Sequence, residues 1–245
     1  MITFDDFKVA LPAAAPIMLG YVAIGIPCGI LCNSIGMGPL EVLVMSYLFY
    51  SGAGQFMIPN LYLAGTPLAS IIASVSFVNT RQMLYSASFA PFAERAGKPL
   101  AFLFAATVTD ESYGVSIDRF RKGGWSVQKA TCVNLLSQST WAWCNLVGAL
   151  VGSVLDIPLA IASFAMTSIF VCLMITQELT FENVLAMVFA AAGVFACKAV
   201  GLSGPAILVG AVVGVVAAML AYALRHRGDG DDERSAPEAG EGALR

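Results

Sequence analysis

The chain has 245 residues, of which 58% are hydrophobic and 12% charged, and its formal net charge is −3. Soluble domains carry about 25% charged residues, so this composition excludes a body solvated by water and gives no basic surface for a nucleic acid. One spanning helix takes roughly 20 apolar residues. The length therefore allows about seven or eight spans with short loops and no separate soluble domain.

The fold expected is all-α and polytopic, with about eight transmembrane helices and seven as the alternative. The apolar runs are 10–35, 40–63, 67–90, 99–117, 129–154, 158–176, 182–199 and 204–224. Turn chemistry separates them: Gly36 to Pro39, Gly65 to Pro67, Pro91 to Pro99, Gly123-Gly124, Asp156 to Pro158, Gln177 to Glu182, and Gly201 to Pro205. Asp5 and Asp6 stand where a signal peptide would be basic, and the first run is long enough to span, so no cleavable leader is expected. Residues 1–227 read as one transmembrane domain, and residues 228–245 as a disordered acidic cytoplasmic tail.

Basic residues suggest orientation. With the N-terminus inside, Lys8, Arg119, Arg121, Lys122, Lys129, Arg225 and Arg227 are cytoplasmic, leaving Arg95, Lys98 and Lys198 outside. That asymmetry favours both termini in the cytoplasm and an even number of spans.

The sharpest signal is charge inside apolar runs: Arg81 in the third, Asp110 and Glu111 in the fourth. Each costs about 2.5–3.5 kcal/mol at a helix centre, so they should be paired or face a wet cavity. The third run ends near Ala90 and the fourth begins near Pro99. Counted from that shared surface, Arg81 lies about 13 Å down and the two acids about 16–18 Å down. An ion pair of Arg81 with Asp110 or Glu111 is expected, either as a static packing element or as part of a site. Polar stripes accompany it: Ser74, Arg81, Tyr85 and Ser88, with Asn79 and Gln82 alongside; Thr107, Asp110, Glu111 and Gly114; and Asn134, Gln138, Trp141, Asn145, Gly148 and Gly152. Gly25 and Gly29 recur in style at Gly148 and Gly152, a weak hint of duplication.

The second signal is interrupted helix. Gly52 and Gly54 lie in a glycine-rich stretch from Ser51 to Gln55, with Pro59 following, and Pro27 interrupts the first run. Helix breaks at Pro27, Gly52, Gly54 and Pro59 are expected. Freed backbone at membrane depth is tolerated only where it is buried in protein or lines a cavity, and transporters build substrate sites from such breaks. A zwitterionic amino acid suits these parts, with its carboxylate on Arg81 or a helix start and its ammonium on a carboxylate.

Other chemistries find less support. The six cysteines lie in apolar runs, and Cys28 and Cys32 at i, i+4 lack the further ligands of a metal site. No metal or cofactor is expected. An intramembrane serine protease needs a histidine within the membrane, but His226, the only histidine, is in the tail. An aspartyl protease needs two membrane aspartates, but besides Asp110 only Asp118 and Asp156 are available, both at span ends. The remaining alternative is a non-transporting assembly or sensor subunit.

Ser46-Tyr47-Leu48-Phe49-Tyr50-Ser51-Gly52-Ala53-Gly54-Gln55-Phe56 resembles the "FAGAAQF" signature of AzlC-type branched-chain amino acid permeases. Asn79-Thr80-Arg81-Gln82-Met83-Leu84-Tyr85, ending in Pro91, resembles their "N-x-R-H-x-L-Y-G…P" segment. Thr109-Asp110-Glu111-Ser112-Tyr113 resembles their "TDE-[ST]-aromatic" segment, and Gly20-Tyr21 with Gly25 and Gly29 their opening span. Order and spacing agree over residues 12–115. The resemblance implies secondary export of leucine, isoleucine, valine or similar hydrophobic amino acids, methionine among them, across a bacterial cytoplasmic membrane. It also implies a separately encoded small membrane partner of the AzlD type. Substrate is expected at Tyr50, Ser51, Gly54, Gln55, Asn79, Arg81, Gln82 and Tyr85, with Arg81, Asp110 and Glu111 as the coupling groups. Gln82 stands where the family has histidine, and Ser86 where it has glycine. The first change removes a group that titrates near neutral pH.

Overall fold

A computed structural model describes residues 2–94, 96–155, 158–175, 180–201 and 206–225. His226 and the tail at 228–245 lie outside the described residues. Those described fall into two compact units, one ending at Ile175 and one starting at Thr176.

The first unit is organised around α1 (Phe4–Ser34) and α8 (Val127–Val154). Thr3 and Asp6 close a capping box at the start of α1, which satisfies its first free N–H groups. The helix then continues through Pro12, Pro16 and Pro27. Pro27 therefore does not break the helix, contrary to the sequence expectation. An isolated lost hydrogen bond is tolerated where neighbouring helices enclose the backbone, and this part of α1 is pressed against α8.

The two helices run parallel, Gly25 facing Cys144 and Asn145, Gly29 facing Asn145 and Ala149, and Gly152 facing Ile30. A side chain at Gly29 would meet the backbone of α8 at Asn145 and Ala149, and one at Gly148 the backbone of α1 at Ile26. The glycines that hinted at duplication are thus the two sides of one close crossing.

Between these helices come α2 (Pro39–Leu48), α3 (Gly52–Leu63), α4 (Leu68–Ser88), the short α5 (Ala90–Ala93), α6 (Lys98–Ala106) and α7 (Asp110–Lys122). The runs 40–63 and 99–117, expected to cross once each, are each two short helices that turn back. For the second, the contacts give the direction. Arg81 pairs with Asp110, Tyr85 stacks on Tyr113, and Phe89 and Phe92 meet Phe120. α4 and α7 therefore run parallel and end together. Lys98, where α6 begins, follows Ala96, which lines a cavity with Phe92, Phe120, Trp125 and Gln128. Phe104 reaches Phe120, and Asn134 reaches Thr107. So α6 enters from the end where α8 begins, and α7 returns to it.

The first hairpin enters from the opposite end. Asn33 near the end of α1 donates to Met37 O just before α2 begins, and Gln138 on α8 reaches Tyr47 near its close. Met57 on α3 packs with Ile71 and Val75 on α4, and Ser51 bonds Asn79. Those pairs make α3 and α4 antiparallel, so α3 climbs back toward the end from which α2 came. α9 (Leu159–Ile175) completes the unit.

This geometry moves a charge. Lys98 was expected on the outer surface, yet it lies at the same end as Lys8, Arg119, Arg121, Lys122 and Lys129. The expectation failed because a mid-run break reverses the chain instead of letting it cross. In this unit every lysine or arginine among the described residues, Arg81 excepted, sits at that one end. Trp125 marks it too, with Arg119 and Lys129 at 5.0 and 5.9 Å from its ring.

In the second unit α10 (Phe181–Ala199) and α11 (Ala206–Arg225) pack antiparallel, Gly193 on Gly210 and Gly214 on Ala186 and Ala190. Arg225 and Glu182 close one end at 3.2 Å.

The molecule is inverted relative to a soluble protein. Leu19, Phe102 and Phe195 are 74–77% exposed, while Gln55, Asn134 and Asn145 are fully buried. α1 and α10 are each long and apolar enough to cross a bilayer. Large apolar side chains outside and amides inside require hydrocarbon as the solvent.

Two measurements test this arrangement. Gly29→Val should destabilise the protein by about 1–3 kcal/mol through overpacking, read as a lower melting temperature in detergent. Gly20→Val, whose site has open space, should leave it nearly unchanged. Single cysteines replacing Lys98 and Arg121 should react with an impermeant thiol reagent from the same side of the membrane; opposite sides would restore a crossing helix.

Candidate functional site

Each hairpin tip is an interruption in the middle of an apolar run. The first is Phe49-Tyr50-Ser51, where Ser51 adopts extended backbone (φ −148°, ψ 103°) and caps Gly54 N at 3.1 Å. The break therefore lies just before Gly52; Gly54 and Pro59 are inside α3, so neither ends a helix. Gly54 is needed for space, since a Cβ there would sit 2.8 Å from Phe49 Cζ and Ser51 Oγ. The second tip is Thr107-Val108-Thr109, with Thr109 extended (φ −121°, ψ 174°) and capping Ser112. The stripe expected from Thr107 through Asp110 is consequently not one helix face.

Interrupting a helix frees carbonyls that hydrocarbon cannot solvate. Side-chain donors reach five carbonyls here, of which Phe49 O and Phe104 O also accept from Ser51 N and Thr107 N. At the first tip Gln138 donates to Tyr47 O at 3.0 Å, Gln55 to Phe49 O at 3.0 Å and Gln82 to Tyr50 O at 3.3 Å. At the second, Asn134 donates to Phe104 O at 3.4 Å and Thr107 Oγ1 at 3.1 Å, and Ser86 to Ala105 O at 2.8 Å. Gln55 also accepts from Trp141 Nε1, so a wholly buried amide ties α3 to α8.

The tips meet at Tyr21 of α1. Its hydroxyl lies 2.9 Å from Glu111 Oε2, 3.2 Å from Thr109 Oγ1 and 3.3 Å from the Tyr50 hydroxyl. Beside this point Arg81 Nη1 is 2.7 Å from Asp110 Oδ2, with 33% and 24% of the two side chains exposed. Arg81 Nε and Asp110 Oδ1 are buried without a protein partner. Ser51 donates to Asn79 at 2.6 Å, and Tyr85 stacks on Tyr113 at 4.6 Å. The structure thus brings together Tyr50, Ser51, Asn79, Arg81, Gln82, Tyr85, Asp110 and Glu111. It pairs Arg81 with Asp110 and gives Glu111 to Tyr21. Gln55 faces away into the α3–α8 contact. Both α3 and α7 begin at the tips, so two helix starts bring partial positive charge to mid-depth.

Thr109 and the capping function of Asn134 and Gln138 escaped the sequence reading. Thr109-x-x-Ser112 has the spacing of a helix start, and that pattern inside an apolar run was the available clue.

The site and fold define an α-helical integral membrane protein built on two opposed, interrupted helices. The family described as AzlC protein matches residues 16–155, from within α1 to the end of α8 and so across both hairpins. The chain belongs to that family. An uncharacterized membrane protein of Helicobacter pylori strain J99 is 32% identical over 172 residues, 70% of this chain and 75% of its own length. One of Archaeoglobus fulgidus is 28% identical over 233 residues, covering 92% of this chain and 96% of its own. The branched-chain amino acid transport protein AzlC of Bacillus subtilis is 26% identical over 180 residues, 70% of this chain and 67% of its own. No solved structure matches the chain.

Gln138→Leu should leave Tyr47 O unbonded in the interior and cost about 1–3 kcal/mol, measured as lost thermal stability in detergent. Gln138→Asn, too short to reach, should cost a similar amount.

Proposed function

We propose that this protein is a secondary transporter that exports branched-chain or similar hydrophobic amino acids from the cytoplasm. The observation that carries this reading is the meeting of two interrupted helices beside the Arg81–Asp110 pair and Glu111 at mid-depth. A zwitterion needs both signs of charge, and an apolar side chain needs the apolar walls around them. The substrate carboxylate takes Arg81 and the start of α3 at Ser51 and Gly52, with Tyr50 and Asn79 beside it. Its ammonium takes Asp110 or Glu111. The unpaired Arg81 Nε and Asp110 Oδ1 are the free valences for that exchange. The name of the Bacillus subtilis relative agrees with the substrate class.

In this reading α1, α4, α8 and α9 cross the membrane, the two hairpins dip in from opposite faces, and α10 and α11 form a further crossing pair. In the same reading the basic end of the first unit and both termini face the cytoplasm, which the charge asymmetry supports. Hairpins that enter from opposite faces and touch at their tips can open the site to either side in turn. The resemblance adds a small AzlD-type membrane subunit as partner, and a bacterial cytoplasmic membrane as the location.

Counterflow of radiolabelled leucine, valine and methionine in liposomes, with and without that subunit, tests the proposal. Asp110→Asn and Glu111→Gln, each alone, should lower the rate at least about tenfold, the worth of one charge-assisted contact. Unchanged pH-dependent flux in both variants would remove these acids from the mechanism.

A further inference from the structure

Tyr21 is 5% exposed on α1 and touches both hairpins. Thr109 and Glu111 belong to the hairpin that enters from the basic end, and Tyr50 to the one from the opposite end. A phenol has one proton to donate and can accept others, whereas an ionised carboxylate can only accept. With Glu111 ionised, Tyr21 therefore gives its proton to Glu111, and Tyr50 gives its own to Tyr21. Two hydroxyls and a carboxylate form a chain that runs in one direction across the junction of the tips.

Protonation changes that order. A proton arriving from solvent binds a Glu111 oxygen, and the new O–H can donate to Tyr21. Where it does, the Tyr21 proton turns to Thr109 or to Tyr50, and in the second case the Tyr50 hydroxyl loses Tyr21 as its acceptor. Glu111 is exposed on its other side, so a proton can reach it. The groups facing Glu111 are Asp110 beside it, Arg81 on α4, Tyr21 on α1, Tyr50 at the first tip, and Tyr85 and Tyr113 near Asp110. Arg81 is engaged by Asp110, which leaves Tyr21 as the donor that holds Glu111.

We propose that Tyr21 is a positioning residue, a proton-sensitive tie that couples the charge on Glu111 to the contact between the two hairpin tips. It rests on the transport reading above, in which separating the tips opens the site. Release of the tie by one proton links that opening to a proton gradient. Tyr21 touches no substrate in this scheme and acts through Glu111 and Tyr50. Its ring, edge-on to Trp141 at 5.2 Å, stays packed when the hydroxyl is removed.

Tyr21→Phe, Glu111→Gln and the double variant test this in nanodiscs and liposomes. Hydrogen exchange at residues 49–54 and 107–112 should rise about tenfold in each single variant, the loss of one bond to a charged group. The double variant should show no further rise, because both changes cut the same chain. The counterflow rate of Tyr21→Phe should lose the pH dependence seen in the wild type. A wild-type pH profile in Tyr21→Phe, or additive exchange in the double variant, would overturn the proposal. A wild-type protein with no amino acid counterflow would defeat the transport reading alone, with the exchange cycle still deciding the tie. If Tyr21→Phe does not fold, Tyr50→Phe with Glu111→Gln completes the same cycle.

Discussion

Backbone groups released at two helix breaks, in a medium without water, are the constraint that shapes this protein. Each unbonded carbonyl would cost several kcal/mol in hydrocarbon. Gln138, Gln55, Gln82, Asn134 and Ser86 meet that demand from three different helices. The buried amides are therefore the reason the tips can exist at membrane depth. Remove them and the cheaper solution is a continuous helix, which would cross the membrane instead of turning back and would leave no site.

The rest of the first unit supports the tips. The glycine crossing of α1 and α8 brings two backbones close and makes a rigid parallel pair. Tyr21 and Trp141 project from that pair between the hairpins, and α4 brings Asn79, Arg81 and Gln82 to them from the side. The Arg81–Asp110 pair is only partly buried, which keeps its desolvation cost below that of a sealed pair and leaves it able to exchange partners. Gln82 uses its amide to hold Tyr50 O. A residue that cannot titrate thus fixes the first tip, while the carboxylate of Glu111 meets the second.

Hydropathy located the helical segments well, because an apolar run leaves the chain few alternatives to helix. Depth counting brought Arg81 and Asp110 together on paper, since both were measured from the ends at Ala90 and Pro99, which do lie at one surface. What failed was the separation of that surface from the one bearing Lys8. A run of the right length reads as one crossing, and hydropathy is blind to a reversal in its middle. Pro27 misled in the other direction: a proline marks a lost hydrogen bond, and whether the helix yields depends on what packs around it. Tyr21 stood in the sequence only as part of the Gly20-Tyr21 resemblance, with no role attached, because a lone tyrosine in an apolar helix is ordinary. Its meaning comes from three chain segments that only the fold brings together.

A cryo-electron microscopy map of the protein in nanodiscs with saturating leucine tests the central claim most directly. Two hairpins entering from opposite faces are expected, with ligand density between Ser51, Asn79, Arg81 and Glu111. Helices running unbroken across the membrane at residues 49–51 and 107–109, or leucine bound away from both tips, would contradict it.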